Sequence, residues 1–366
     1  MPSPHCSNLK TKYQELLSLT EQFQVALEEA AKSGNYHTLE ELKQTIEAKK
    51  EAIETILIPF ERELHIKEQY EKQKAVFEKI GLLEKQEGIL GITDIEGVFH
   101  PFPTLQEVSK RLRNKRELLT KKKEQGFGRL LIVPFGMKIE TFIKTMKKTI
   151  LAHYVPDPSD PTGRTPDPTK TKLWSKDADG TRVPLELDAV DPISLWDKYQ
   201  DADTDGSLVY LTKDFDKDPT KHQGKTKKEL LKTNGAFHIL MLETNLVIPR
   251  EHKGHTQGGR KQFEADNGNA KEYLERLLTD LQYNGEQGLT PEAWMTLFLL
   301  QLEMTDEVID DYLGDGSFNY NLGGYFPASG NVSCGYWNRD DRLVIVDGLG
   351  PSDRFSYFGA RPAVMI

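Results

Sequence analysis

The sequence predicts an α+β fold in which a main domain follows an N-terminal helical hairpin. Apolar residues near the N-terminus recur at steps of three and four, which is the spacing of the buried stripe of a helix. From Gly126 onward, short apolar runs typical of strands alternate with amphipathic stretches typical of helices. We therefore divide the chain into a helical, coiled-coil-like segment (residues 1–85), a connector with a basic helix (86–125) and the main domain (126–366).

Two apolar stripes, separated by Ser33-Gly34-Asn35, define the predicted hairpin. The first stripe consists of Leu9, Tyr13, Leu16, Thr20, Phe23, Leu27 and Ala30. The second consists of Leu39, Leu42, Ile46, Ile53, Ile56, Phe60 and Leu64, with a bend expected at Pro59. An isolated hairpin exposes such stripes, so it either docks on the rest of the chain or pairs with another copy in a homo-oligomer.

The next elements follow from local signals. Residues 88–103 are predicted to be a turn-rich connector, and residues 105–123 a strongly basic helix. A buried strand is expected at 129–134 and an amphipathic helix at 138–153. Five prolines among aspartate and threonine in residues 155–172 predict a mobile loop, because proline sustains neither a helix nor a central strand.

Capping signals place the later helices. Asp191-Pro192 predicts a helix start, and strands are expected near 208–211 and 236–242. Residues 270–281 are predicted to be helical. Thr290-Pro291 opens a strong helix, with threonine as the N-cap and proline at the first helical position.

Composition limits the classes of function. The formal net charge of -9 and the pI near 5.6 argue against nucleic-acid binding, which needs a concentrated basic face. No apolar run is long enough for a secretory signal or a membrane span, so we expect a cytoplasmic protein, with export or surface display left open. Cys6 and Cys334 show neither disulfide-framework nor zinc-site spacing.

One acidic segment resembles the first half of a calcium loop. Asp201, Asp203 and Asp205 alternate before Gly206, and alternating carboxylates can converge on a hard cation. Thr212 stands where the bidentate glutamate of a complete loop would be. A looser calcium-stabilised turn and a simple Asp-rich turn both remain as interpretations, and calcium is the one cofactor that the sequence suggests.

The tail of the chain carries the main functional signal. Residues 272–366 contain no lysine, and residues 318–357 are rich in Tyr, Trp, Phe, Ser, Gly, Asn and Asp. Recognition surfaces use this mixture, because aromatic side chains supply contact area at a low entropic cost. The alternative is that such aromatic residues form the core of a small antiparallel sheet, which we favour for Trp337 and Phe358.

Three segments of the tail resemble a known family. Gly335-Tyr-Trp-Asn-Arg-Asp340, Gly350-Pro-Ser-Asp-Arg354 and Phe358-Gly-Ala-Arg-Pro-Ala-Val364 are similar to the C-terminus of the variable proteins of diversity-generating retroelements. The resemblance implies a C-type-lectin-like fold of the formylglycine-generating-enzyme branch.

Upstream segments extend this resemblance to residues 64–366. Trp196-Asp-Lys-Tyr-Gln-Asp-Ala-Asp203, Gly258-Gly-Arg-Lys-Gln262 and Gly285-Glu-Gln-Gly-Leu-Thr-Pro-Glu-Ala-Trp294 are similar to a subgroup from uncultured small-genome bacteria. In this family, template-directed reverse transcription changes adenines, so that asparagine codons of the AAC kind come to encode many residues within a fixed framework.

The resemblance implies a variable, ligand-binding region at about residues 331–358. The candidate variable positions, expected to face solvent, are Ser333, Tyr336, Asn338, Asp341, Leu343, Val344, Val346, Asp347, Leu349, Ser352, Asp353, Phe355 and Tyr357. The positions interpreted as framework are Arg339, Arg342, Arg354, Gly359 and Arg361.

The function so implied is selective binding of a protein or glycan partner, without catalysis. Leu343, Val344 and Phe355, if exposed, would form an apolar contact patch. One alternative is an enzyme of the same fold branch, such as a formylglycine-generating oxidase. That chemistry needs two nearby cysteines, and Cys334 stands alone in the tail. The other alternative is a non-catalytic assembly protein, in which identical subunits would bury the same positions.

Overall fold

The computed structural model describes residues 4–33, 37–57, 64–188, 190–265, 268–311, 313–314 and 316–366. The chain forms two compact units, residues 1–67 and 68–366. Both helices and sheets are present, which confirms the predicted mixture of α and β structure. The unit boundary differs from the predicted divisions after residues 85 and 125, because the chain already packs with the main domain from Glu68 onward.

The first unit contains two helices, α1 (Pro4–Ser33) and α2 (His37–Leu57), which pack against each other. The first helix ends at the predicted break. Its expected stripe is wrong in detail, because Thr20 and Leu27 are exposed, whereas Leu19 and Ala26 are half-buried. The side chains of Leu9, Tyr13, Ile53, Ile56 and Phe60, and the expected bend at Pro59, lie outside what the structure describes.

The remaining helices surround the sheets of the second unit. They are α3 (Ile66–Ile80), α4 (Leu105–Asn114), α5 (Arg116–Glu124), α6 (Ile139–His153), α7 (Ala202–Asp205), α8 (Pro219–His222), α9 (Lys227–Asn234), α10 (Ala270–Thr279) and α11 (Pro291–Thr305), with 3₁₀ turns at Asp197–Tyr199 and Leu281–Tyr283.

Seventeen strands are present among the described residues. They are β1 (Glu84–Gln86), β2 (Ile89–Thr93), β3 (Phe99–Pro101), β4 (Phe127–Val133), β5 (Trp174–Lys176), β6 (Arg182–Pro184), β7 (Ile193–Leu195), β8 (Val209–Tyr210), β9 (His238–Glu243), β10 (Thr256–Gln257), β11 (Arg260–Lys261), β12 (Gln287–Gly288), β13 (Phe318–Phe326), β14 (Asn331–Asn338), β15 (Leu343–Leu349), β16 (Phe358–Ala360) and β17 (Pro362–Met365).

Two sheets make up the centre of the second unit. One has the order β12-β17-β9-β4 and is antiparallel throughout. The other has the order β16-β13-β14-β15-β7, with β8 also paired to β13. Its outer strands β16 and β7 run parallel to their neighbours, and its inner strands are antiparallel.

Helix α11 is the central helix of the unit. Its residues from Pro291 to Leu300 are all buried, as an apolar surface on every side predicts. The Thr290 side chain accepts a hydrogen bond from the backbone N–H of Ala293, and Pro291 occupies the first helical position. Both predicted start signals are therefore confirmed.

Two local predictions need correction, whereas the irregular structure predicted for residues 155–172 is present. The predicted connector at 88–103 contains β2 and β3, which join β1 in a three-stranded sheet. The predicted helix after Asp191-Pro192 is strand β7, which pairs in parallel with β15. The loop at 155–172 contains neither a helix nor a long strand, as predicted, and within it the Asp160 carboxylate accepts hydrogen bonds from the N–H groups of Thr162 and Thr165.

The free edge of β4 is covered by two glutamines of α3. Gln69 donates to the carbonyl of Gly128 (2.9 Å) and accepts from the N–H of Leu130 (2.8 Å). One helical turn later, Gln73 donates to the carbonyl of Leu130 (2.7 Å) and accepts from the N–H of Ile132 (2.9 Å). The two side-chain amides therefore occupy the hydrogen-bonding positions of a further strand.

Candidate functional site

The predicted variable region centres on the antiparallel pair β14–β15, whose side chains divide into two faces. The pairing is regular from Val332 opposite Leu349 to Asn338 opposite Leu343. Because side chains alternate along a strand, paired residues share a face. The inner face consists of Ser333, Gly335, Trp337, Val344, Val346 and Gly348. The outer face consists of Val332, Cys334, Tyr336, Asn338, Leu343, Ile345, Asp347 and Leu349, of which Val332 and Cys334 are fully buried.

The inner face packs against two tryptophans. A Cβ atom on Gly335 would lie 2.5 Å from the indole of Trp294 in α11, and one on Gly348 would collide with the indole of Trp196. Both positions therefore need glycine for reasons of space. Trp337, on the same face, is fully buried, which confirms its assignment to the core.

Ser333 anchors a buried polar network beneath the inner face. Its hydroxyl accepts hydrogen bonds from Tyr199 (2.6 Å) and from the Asn321 amide (3.1 Å). Asn319 donates to Asn321 (2.7 Å) and accepts from the backbone N–H of Arg361 (2.9 Å). Buried polar groups so paired are expensive to disturb, because each lost partner leaves a desolvated donor or acceptor.

The network continues to one buried carboxylate. Asp310 forms an ion pair with the guanidinium of Arg361 (2.6 Å) and accepts a hydrogen bond from the Trp294 indole (2.7 Å). Arg361 and Asp310 are both almost fully buried. Their position supports the interpretation of Arg361 as a framework residue.

Three predicted variable positions are wrong as solvent-facing residues. Ser333, Val344 and Val346 have no exposed surface. All three belong to the inner face, where larger side chains would meet the packed core. The prediction was wrong because it treated neighbouring residues of β15 as if they shared a face, although side chains alternate along a strand.

The outer face contains five of the predicted positions and one that was missed. Tyr336, Asn338, Leu343, Asp347 and Leu349 are half-buried. Ile345 lies between Leu343 and Asp347 on this face and is also half-buried. The alternation of β15 would have found it, once the burial of Val344 fixed the phase.

A turn closes the hairpin next to the outer face. The Asn338 side chain donates to the carboxylate of Asp341 (2.7 Å) and accepts from the N–H groups of Asp340 and Asp341. Asp341 is exposed, as predicted. Arg342 has a left-handed backbone (φ 61°) directly before β15 begins.

An aromatic cluster borders the outer face: Phe318, Tyr336, Phe355, Tyr357 and Phe358. Phe318, which the sequence did not single out, stacks on Tyr336 with ring centres 3.7 Å apart. The rings of Phe355 and Tyr357 stack at 5.6 Å. These two half-buried side chains belong to the segment before β16, in which the predicted positions Ser352 and Asp353 are exposed.

The framework residues of the tail contact residues that lie outside the β14–β15 hairpin. Arg339 donates to the Asp311 carboxylate (2.7 Å) and to the carbonyl of Lys176 (2.8 Å). Arg354 forms an ion pair with Glu272. A Cβ atom on Gly359 would lie 2.5 Å from Ile248.

The aspartates of the proposed calcium turn do not converge. Asp203 points inward, where its carboxylate pairs with Lys227 (2.7 Å) and accepts from the N–H of Ile139 (3.0 Å). Asp201 and Asp205 are exposed, and Asp205 accepts from the N–H of Ser207. No group of three or more metal-ligating side chains occurs in the part of the chain that the structure describes. The geometry is therefore that of an Asp-rich turn.

Cys334 lies fully buried beneath the aromatic cluster. Burial, followed by the nearby charge of Asp347, raises the pKa of its thiol well above the ordinary value. A reactive or metal-binding cysteine needs a lowered pKa and access to solvent, so this site does not favour thiolate chemistry.

Motifs that are far apart in the sequence meet in the structure. The guanidinium of Arg260 donates two hydrogen bonds of 2.8 Å to the carboxylate of Glu286. Lys122 also pairs with Glu286. This buried contact joins the segment 258–262 to the segment 285–294.

Among the described residues, no helix has the length and the apolar composition that crossing a bilayer requires. Comparisons with protein-family models, with curated proteins and with solved structures found no match for this chain.

Proposed function

We propose that the protein is a diversified ligand-binding protein, similar to the variable proteins of diversity-generating retroelements, with a C-type-lectin-like scaffold in its second unit. Support comes from the division of β14–β15 into two faces. The inner face is fixed by packing and by the Ser333 network. The half-buried side chains of the outer face and those of residues 352–357 take no part in that network.

The meeting of the motif segments also supports the proposal. Four of the six segments that carry the resemblance contribute to these framework contacts: Trp196 at Gly348, Arg260 at Glu286, and Trp294 and Arg361 at Asp310. A fixed framework of this kind is what a protein needs if it is to keep its fold while its surface residues vary.

The composition of the surface suggests the class of partner. Tyr336, Phe355 and Tyr357 give an aromatic centre, and Asn338 and Asp347 give a polar rim. Protein or glycan ligands are bound by such surfaces, with rigid aromatic anchors and adjustable hydrogen bonds. The half-buried apolar residues of α1 and α2 make self-association through the hairpin a further part of the proposal.

A genomic comparison tests the diversification. We expect a reverse-transcriptase gene near the coding sequence, and a repeat of the codons for residues 331–358 that differs only at adenines. The differences should fall on outer-face and loop codons, and not on those for Ser333, Val344 or Val346. A repeat that varies equally at inner-face codons, or no repeat at all, would contradict this part of the proposal.

A binding experiment tests the recognition. Natural or designed variants that differ only at Tyr336, Asn338, Leu343, Asp347 and Phe355 should select different partners from protein and glycan arrays. The exposed residue Leu281, which lies outside the predicted variable region of residues 331–358, provides the control substitution Leu281→Ala. Variants that all bind the same targets equally would argue against selective recognition by this surface.

A further inference from the structure

A second concave site lies in the second unit, distinct from the outer face. It is a cavity of about 480 Å³ between α3, β4, α11 and the segment 244–247 that follows β9. This volume is within the range of small-molecule sites. None of the residues that line it is an aspartate or a glutamate.

Arg129 of β4 supplies the charge of this cavity. Its guanidinium donates one hydrogen bond, to the side-chain oxygen of Gln301 at 3.1 Å. Among the described residues, no carboxylate lies within ion-pair distance of it. Burial, together with the nearby charge of Arg361, lowers the pKa of Arg129, so the local environment disfavours its positive charge.

The other cations at the cavity are already neutralised. Lys72 pairs with Glu68 at 2.7 Å, and Lys176 lies 3.5 Å from Glu307. Of the cations at the cavity, Arg129 should therefore contribute the most binding free energy to an anionic ligand. The reason is that a partly desolvated guanidinium forms strong, paired hydrogen bonds with a carboxylate.

The rest of the lining is largely apolar. Leu297, Leu300 and Met304 of α11 face the same space as Leu246 and Val247 of the opposite segment. Met304 is 38% exposed, a high value for a large apolar side chain. A ligand that filled the cavity would therefore place an anionic group at one end and bury an apolar body along α11.

From this juxtaposition we propose that the cavity binds a small organic carboxylate with an apolar body. The carboxylate accepts two parallel hydrogen bonds from Arg129, and the apolar body lies against Leu297, Leu300 and Met304. A carboxylate fits better than a phosphate, because a single guanidinium fork matches its two oxygens and one negative charge. The inference is independent of the proposed recognition by the outer face.

Calorimetric titration of the full chain with decanoate tests this proposal. We expect saturable binding with one site, at least tenfold weaker binding in Arg129→Gln, and unchanged binding in the control Arg116→Gln, which makes the same replacement at an exposed arginine of α5. Decanol and inorganic phosphate should each bind at least tenfold more weakly than decanoate. Equal binding of phosphate would show a general anion site, and equal binding of decanol an apolar site without a role for Arg129. Either result would overturn the proposal.

A second variant covers the case in which Arg129→Gln does not fold. Met304→Trp narrows the apolar end and leaves the guanidinium in place, so it should weaken decanoate several-fold more than butyrate. Equal effects on both chain lengths, or no saturable binding of decanoate to the unmodified protein, would contradict the assigned orientation.

Discussion

The two faces of β14–β15 belong to the same strands and yet meet different demands. On the inner face, Gly335 and Gly348 leave room for tryptophan rings, and Ser333 closes a hydrogen-bond network. On the outer face, Val332 and Cys334 are fully buried, whereas Tyr336, Ile345 and the remaining residues are half-buried. The contrast teaches that a strand can offer only every second position to variation, whereas a surface segment such as residues 352–357 can offer consecutive positions.

The largest loss of stability is expected when Arg361, a framework residue, is replaced. Replacement by methionine leaves the buried Asp310 carboxylate without its cationic partner, which should lower the free energy of unfolding by about 3–5 kcal/mol. Urea denaturation measures the change. Arg354→Met removes a surface ion pair and should cost about 0–1 kcal/mol. A loss below about 1 kcal/mol for Arg361→Met would mean that the framework does not depend on this pair.

Adjacent residues of β15 give the sharpest comparison of the two faces. Val344→Tyr forces a large ring into the packed inner face and should destabilise the protein by about 3 kcal/mol. Leu343→Tyr places the same ring on the outer face, where we expect a change within about 0.5 kcal/mol. Both are measured by thermal and urea unfolding. If the two variants were equally stable, the division into faces would be wrong.

A smaller effect is expected from Ser333→Ala. The substitution leaves the Tyr199 hydroxyl and the Asn321 amide without their shared acceptor, which should cost about 1–3 kcal/mol. Ser356→Ala, at an exposed position before β16, serves as the control and should be neutral. A neutral Ser333→Ala would show that the network does not stabilise the inner face.

The last prediction is that the Cys334 thiol of the folded protein does not react with an alkylating agent. In a Cys6→Ser background, iodoacetamide should leave the native protein unmodified under conditions that alkylate the urea-unfolded chain completely. The reason is that burial removes access and raises the pKa of the thiol, so that little thiolate forms. Mass spectrometry reports the modification. Rapid native alkylation would reopen the interpretation of the tail as a thiolate enzyme site.

Local sequence signals predicted helices correctly where tertiary packing favours the same structure. Thr290-Pro291 marks the start of α11, and the apolar stripe of residues 139–150 faces the core in α6. The same kind of signal failed at Asp191-Pro192, because parallel pairing of β7 with β15 outweighs a local capping preference. The strands of residues 84–101 are at most five residues long, too short for their alternation to stand out.

The sequence predicted which segment contains the candidate site, but it did not predict which alternate residues of the strands face the core. Tyr336, Asn338 and Phe355 are half-buried, and Tyr336 and Phe355 pack against buried residues, so these positions are less exposed than predicted. Val344 and Val346 were misplaced because periodicity alone does not reveal which set of alternating residues faces the core. Phe318 was missed because it lies outside the tail motifs and joins the aromatic cluster through the pairing of β13 with β14 and with β16.

The two glutamines of α3 have a consequence for the behaviour of the protein in concentrated solution. A strand at the border of a sheet can recruit strands of other molecules and so begin aggregation. Gln69 and Gln73 occupy the bonding groups of β4 with side chains of the same chain, so incoming strands find no template there. Under the proposed function the outer face accumulates apolar residues, and the closed edge of β4 then leaves one fewer place at which copies could adhere to each other.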